Sequence, residues 1–478
     1  MVPINPELIN RPAVTILSGE QIERIHLGTM QVLEQTGIRV THPKALGLLI
    51  QHGASVKDKR VCIPAAMVEA AIQQAPSNFV LGKRNGETAI DLKAGKSWYG
   101  AGLDCVDYLD PVTDKRSRFT SENCRVTATI ANTLSNYDWC MTLGFSTDVQ
   151  PSLAERVAAK QALTYCNKPL FFCCSDMNSL QSIYEMGCLI AGSEKIFRLA
   201  PPIATLSSAI SPLWYDDNTV EKIIFCAELG IPQALYSGLQ AGATSPATFA
   251  GTIVQGCAES LGGLVMAQLV RPGAPTIFGA LTTIMDMATT IFSYGAVEMN
   301  LMAAAMAQMA RHYKLPFFGT AGCSDAKSDD DQQAVLEATF SCLSASLSGA
   351  NLVHDLGLLD HSNLISPRYL VLINEILSML KKYMRGIVVN DETMALEVIN
   401  QVGPGGNYLE EHHTMRNFRE VWYSKLFDRD TYDAWCRQGA KKMIDRVREK
   451  TRKLMDTDPE IPSAGVVQEM DRLATHWK

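Results

Sequence analysis

The apolar pattern of the chain predicts an α/β fold: a single (β/α)8 TIM barrel with a helical N-terminal cap and a C-terminal helical extension. Three observations carry this. Eight short apolar runs, most opening after Pro, Asp or Asn, recur through the middle of the sequence, and each suits a buried strand. The first seven are each followed by a longer helix-like stretch, and together the units span roughly 260 residues, the length of one such barrel. The full 478 residues leave room for additions at both ends. The expected division is a cap over 1–96, a barrel over 97–365 and an extension over 366–478.

In the cap, Ser18 to Thr36 reads as an amphipathic helix with Ser18 at its N-cap and Gly37 as its stop. Pro43 to His52 and Pro64 to Ala75 are further helices, the second closed by Pro76. Short strands fall near Val61 and Phe79, followed by an Asn85-Gly86 turn. The barrel strands are expected at Trp98 to Leu103, Trp139 to Gly144, Leu170 to Cys174, Ile203 to Leu206, Gln233 to Leu239, Thr276 to Leu281, Phe317 to Ala321 and Asn351 to Leu356. Val106 to Arg118, with its Asp110-Pro111, reads as a hairpin inserted after the first strand. Helices are expected from Thr120-Ser121-Glu122, over Ser152 to Tyr165 and over Asp217 to Leu229. Another opens at Ser245-Pro246, with serine at the cap and proline at the first helical position. Met285 to Tyr313 is long enough for more than one helix. After the eighth strand come an apolar helix over about Tyr369 to Met384 and a helical tail broken at Gly403-Pro404-Gly405-Gly406. Trp422, Phe427 and Trp435 need burial, so the tail is expected to pack on the barrel.

Composition narrows the class. The hydrophobic fraction of 47% is that of an ordinary globular protein, and uninterrupted apolar runs of membrane-spanning length are absent. Met1 to Glu20 shows no basic-then-apolar leader, which points to a cytoplasmic protein. The thirteen cysteines lack paired ligand spacing and read as buried free thiols, with no metal site. A net charge of −7 argues against a nucleic-acid surface, and the basic run Lys441 to Lys453 alternates with acids as a solvated helix face.

Barrels of this kind carry their chemistry at the C-terminal ends of the strands. Strand one runs Trp98-Tyr99-Gly100-Ala101-Gly102-Leu103-Asp104; its glycines would let a ligand approach, and its aromatics either face a cation or pack against the cap. Strand five delivers Tyr236 and then a small-residue loop through Thr244 and Ser245 to a helix start, which is either an ordinary loop or a seat for a carboxylate. Gln255 and Glu259, one turn apart on that helix, either are polar core groups or line the mouth. Beyond strand seven, Asp325 and the triplet Asp329-Asp330-Asp331 would attract a cation, or the triplet is a solvated turn capping a helix from Gln332. His354-Asp355 lies inside the apolar run of strand eight, and the histidine is either a satisfied core group or a donor to the pocket. An H-x-H pair, a nucleophile elbow and a Walker loop are all missing, and no lysine sits within a predicted strand, although Lys327 just past strand seven keeps a Schiff-base aldolase open.

Four blocks of the sequence then resemble the trimethylamine methyltransferase family. They are Gln31-Val32-Leu33-Glu34-Gln35-Thr36-Gly37-Ile38, Ala241 to Thr248, Gly322-Cys323-Ser324-Asp325-Ala326-Lys327, and the tail Val402 to Leu409 with His413-Thr414 and Phe427-Asp428-Arg429. The similarity runs over essentially the whole chain. Founding members of that family carry pyrrolysine late in the barrel, in the neighbourhood of Ser324 to Gln332 here, whereas this chain has only the twenty standard residues. It therefore resembles the non-pyrrolysine branch, and within it the glycine betaine:corrinoid methyltransferases. The resemblance implies methyl transfer from a quaternary amine to Co(I) of a corrinoid on a separate small protein, with no cofactor held by the chain itself. A D-x-H-x-x-G cobalamin-ligand motif is missing, in keeping with that arrangement. It also implies a homo-oligomer. On this reading Trp98, Tyr99, Phe172, Tyr236 and Phe318 are candidates for the ammonium head. Thr244, Ser245 and His354 are candidates for the carboxylate, and Gln255, Asp325 and Gln332 for the face turned to the corrinoid. No catalytic acid or base is assigned, because a quaternary amine leaves as a neutral amine. Proline betaine, carnitine and choline share the same head group, and a non-catalytic betaine-binding protein is the reading from a different class.

Overall fold

In a computed structural model, residues 12–92 and 96–477 are described; the reading of the first eleven residues lies outside them. Eight parallel strands close on themselves: β1 (Trp98–Ala101), β2 (Trp139–Met141), β3 (Leu170–Phe172), β4 (Ile203–Ala209), β5 (Gln233–Ala241), β6 (Thr276–Gly279), β7 (Phe317–Thr320) and β8 (Leu352–Leu356). Each pairs with its sequence neighbours, and β8 pairs with β1 to shut the ring. The fold is a (β/α)8 barrel. Its principal helices are α1 (Ser121–Thr133), α2 (Ala154–Tyr165), α3 (Met177–Ala191), α4 (Asp217–Leu229), α5 (Phe249–Val270), α6 (Val297–His312), α7 (Gln332–Ser348) and α8 (Pro367–Tyr383).

Inside the ring, Trp139, Phe171 and Phe318 stack against one another, with ring centres 4.7, 5.2 and 5.8 Å apart. They fill the barrel below its mouth as a packed core. Gly100 exists for this layer: a Cβ there would stand 2.3 Å from the Trp139 ring. Gly102, at φ +88°, similarly faces Leu143. These glycines admit neighbouring side chains where the sequence suggested room for a ligand.

Helix boundaries follow their caps. Ser18 closes a capping box with Gln21, and Gly37 (φ 72°) ends the wider turn that follows. Thr120 forms a capping box with Asn123 at the start of α1. The hairpin after β1 is present, pairing Asp107–Leu109 with Arg116–Arg118. Two expectations fail locally. α5 begins at Phe249, beyond Ser245-Pro246, because the Ser245 hydroxyl bonds Thr252 and its carbonyl accepts from the Gly242 N–H, closing a turn first. Residues 285–296 hold no helix; the Asp286 carboxylate accepts from Ala288 and Thr289, and Met285 bridges to Phe292.

α5 has the length and apolar composition of a membrane span, but 78% of that stretch is buried inside the molecule. The cap helices Gly19–Gln31 and Ala65–Gln74 pack on it and cover most of it. In the extension, the helix Met443–Met455 buries Val447 and Thr451 against α8, with its charged residues outward. Trp422 donates to Ser378 on α8 and touches Phe427, whereas Trp435 bonds only its own segment, at the Lys441 carbonyl.

Candidate active site

At the mouth of the barrel, three side chains from three strands form one hydrogen-bonded cluster, stacked on Phe318. Alternation along a strand sends Tyr236, Phe318, Thr320 and His354 inward. The Tyr236 hydroxyl lies 3.0 Å from Thr320 Oγ1 and 3.0 Å from His354 Nε2, and Thr320 Oγ1 lies 3.0 Å from the same nitrogen. On its other side His354 Nδ1 meets Asp355 Oδ1 at 2.7 Å. The imidazole stacks on Phe318 at 4.3 Å, and Tyr236 meets the Phe318 ring edge-on at 5.6 Å. His354 and Asp355 are fully buried, whereas Tyr236 and Thr320 keep small accessible areas of 7% and 5%. Tyr236 and Thr320 are thus the less buried members of the cluster. Ser208, paired with Tyr236 across the sheet, and Gly238, two residues further along the strand of Tyr236, are exposed.

Two carboxyls border this cup. Asp355 sits in the left-handed region (φ 71°), where the register between β8 and β1 shifts, and among the described residues its Oδ2 has no hydrogen-bond partner. Asp104, beyond the end of β1, has its pKa raised from 3.8 to about 7, chiefly by burial and also by Glu155, against an opposing pull from the Thr142 hydroxyl. Both carboxyls lie near the Cys105 and Cys173 thiols, whose pKa values burial, then Asp104, push well up. Burial, then Asp355, does the same for Cys323 and the Tyr236 and Tyr294 phenols.

The remaining sequence candidates fall in several places. Trp98 starts β1 at the opposite end of the barrel, donates to the Asp91 carbonyl, and lies under Lys96 at 3.7 Å. Tyr99 points outward to Ser346 on α7, at 2.6 Å. Phe172 is buried on the helix side of β3, its neighbour Phe171 being the inward residue. Thr244 is a turn residue whose hydroxyl accepts from the Gln240 N–H. Ser245, as above, closes the loop. Gln255 donates to the Thr244 carbonyl and to Glu259. Glu259, fully buried, also accepts from Ser211 and the Leu213 N–H, so the pair clamps the loops after β4 and β5 together. Asp325 accepts from Ser293, the Tyr294 N–H and His361, joining the loops after β6, β7 and β8. Gln332 is exposed at the first position of α7, and Asp331 caps that helix. Asp329 departs from the solvated turn expected of its triplet: it is buried and holds the buried Arg368 at 2.8 Å. Lys327 is exposed at the rim, paired with Asp360 at 2.7 Å.

Thr320, Asp355 and Asp104 are members of the cup that the sequence did not single out. Thr320 was within reach, since it lies two residues past Phe318 and so on the same face. Among the described residues, no group of three or more metal-ligating side chains comes together.

A family model described as trimethylamine methyltransferase (MTTB) matches residues 3–469. The chain belongs to that family. It is 33% identical over 444 residues to a trimethylamine methyltransferase of Desulfitobacterium hafniense strain DSM 10664 / DCB-2, covering 92% of this chain and 89% of that protein. To the glycine betaine methyltransferase of strain Y51 it is 29% identical over 430 residues, covering 89% of each. The trimethylamine methyltransferase of Methanosarcina barkeri strain Fusaro / DSM 804 is 30% identical, over 97% of this chain and 95% of that protein. The solved monomethylamine methyltransferase of M. barkeri overlays 91% of this chain and 92% of that one, with a TM-score of 0.47 at 11% identity. With only the twenty standard residues, this member fits the non-pyrrolysine branch.

Proposed function

We propose that this methyltransferase removes a methyl group from glycine betaine and passes it to Co(I) of a corrinoid carried by a separate protein, leaving dimethylglycine and methyl-Co(III). The observation that carries this reading is the cluster of Tyr236, Thr320, Phe318 and His354 at the cup. It sets the Tyr236 ring beside the Tyr236 and Thr320 hydroxyls, with the stacked His354 and Phe318 rings buried behind them, as suits a zwitterion with a quaternary nitrogen and a carboxylate. The corrinoid, when its carrier docks, supplies the nucleophile. The chain holds the substrate with one N–methyl bond facing the mouth and keeps water from the reacting centre. No proton need move, because the leaving group is a neutral amine. In this reading the protein is cytoplasmic and works as a homo-oligomer.

The test is a panel of glycine betaine, proline betaine, carnitine, choline and trimethylamine, mixed with a reduced corrinoid carrier and followed by methyl-Co(III) absorbance. Betaine is expected to react fastest, with dimethylglycine formed in equal amount. The relative at 33% identity named for trimethylamine makes that amine the second reading, and its preference over every betaine would replace the first. Alanine at Tyr236 should weaken betaine binding several-fold, whereas Phe318, expected from the sequence to face the ammonium, is buried behind the His354 ring and its alanine variant should act through lost support of that ring. Alanine at Trp98, Tyr99 or Phe172 should lower stability and leave binding within about twofold, since aromatic truncation acts there through packing.

A further inference from the structure

Proton counting in the cluster leads beyond substrate identity. With a neutral imidazole, the Nδ1 proton goes to Asp355 Oδ1, and Nε2 offers one lone pair to the triangle it forms with the Tyr236 and Thr320 hydroxyls. Both hydroxyl protons then have acceptors inside: one goes to Nε2, the other to the neighbouring oxygen. When Nε2 is protonated it becomes a donor, and three protons share a triangle with only two acceptors. One hydroxyl proton must then leave the triangle, and Tyr236 and Thr320 are the members of the cluster that keep some accessible area for an outside acceptor.

The charge balance favours that state once an acceptor arrives. Asp355 is wholly buried with an unpartnered Oδ2, and among the described residues His354 is its only ion-pair partner. An imidazolium would give this carboxylate its counter-charge. The groups packed around the pair are Tyr236 from β5, Phe318 and Thr320 from β7, and the thiols and phenol of Cys105, Cys173, Cys323 and Tyr294. Burial keeps those thiols and phenols neutral. Asp104 can also change charge at the cup, and the Asp325–His361 pair borders it beside Cys323 and Tyr294.

We propose that Asp355 is a positioning residue that lets His354 take up one proton as a substrate carboxylate docks, turning a Tyr236 or Thr320 hydroxyl outward to donate to it. Resting on the betaine reading, this makes the cup selective for quaternary amines that carry a carboxylate. The proton comes from solvent and returns there on release, so no covalent bond to carbon is made or broken.

Calorimetric titration of the whole chain at pH 8, in buffers of different ionisation enthalpy, counts the protons taken up per ligand bound. Glycine betaine is expected to take up about one more proton than choline, which has the same head and no carboxylate. Asp355→Asn removes the charge while keeping an oxygen for Nδ1–H and a residue type that tolerates positive φ. It should abolish the difference, whereas Asp104→Asn should keep it. Equal uptake for betaine and choline, or unchanged uptake in D355N, overturns the proposal. Wild-type protein that binds no quaternary amine overturns the functional reading instead.

Discussion

Asp104 is half-buried beside Thr142, and burial pushes its carboxyl from an ordinary 3.8 up to about 7 in the folded chain. Between those values the native state holds a proton that the unfolded state has lost, so stability falls as pH rises through that window. Below it the carboxyl is neutral in both states; above it the full penalty applies. Partial solvent access lowers this to about 2 kcal/mol, less than the whole shift implies. Asp104→Asn should therefore unfold in urea like wild type at pH 4 and be more stable by about that amount at pH 8. An equal effect at both pH values would mean that the amide acts through packing and that ionisation has no part.

Among the elements, the mouth is tied together by ion pairs between segments distant in sequence. Arg368, at the start of α8, is buried and grips Asp329 through Nε at 2.9 Å and through its terminal nitrogen at 2.8 Å. It also holds Asp114 of the β1 hairpin, and Ser366 donates to Asp329. Arg368→Ala would leave the Asp329 carboxylate buried and unpaired, a loss of about 3–5 kcal/mol in chemical denaturation. Pairing it with Asp329→Leu should restore part of that, since no lone charge then remains; a double variant no better than the single one would argue against the charge explanation. None of this was legible in the sequence, where Asp329 looked like one member of a solvated acidic turn: its partner lies 39 residues away. Features set by local chemistry were legible, as Thr120 capping α1 and Gly37 ending the first helical stretch show. The start of α5 had every local signal at Ser245-Pro246, yet contacts to Thr252 and Gly242 moved it. Trp98 and Tyr99 open their strand, so residue order alone assigns them to the barrel's N-terminal end. The strained turn that aims Asp355 depends on how β8 meets β1, and no short stretch of sequence encodes it.

Across the whole molecule, the segment after α8 stands apart from the closely packed barrel. Its helices Asp391–Met394, Leu396–Val402 and His412–Asn417 bury no residue. Ile387 and Leu409 are each 81% exposed, Met415 65% and Leu396 64%. Isolated apolar side chains on a surface are ordinary, but a run of them on one segment is the mark of an interface. On the homo-oligomer reading proposed above, the occupant is a second copy of the chain, whose equivalent arm can bury the same side chains symmetrically. Sedimentation velocity at micromolar concentration should show a dimer or larger species. Ile387→Asp combined with Leu409→Asp should shift it toward monomer, with the circular dichroism of the barrel unchanged, because both residues lie outside the core. A wild-type chain that sediments as a monomer over that range would leave the apolar arm to be covered by something other than its own kind.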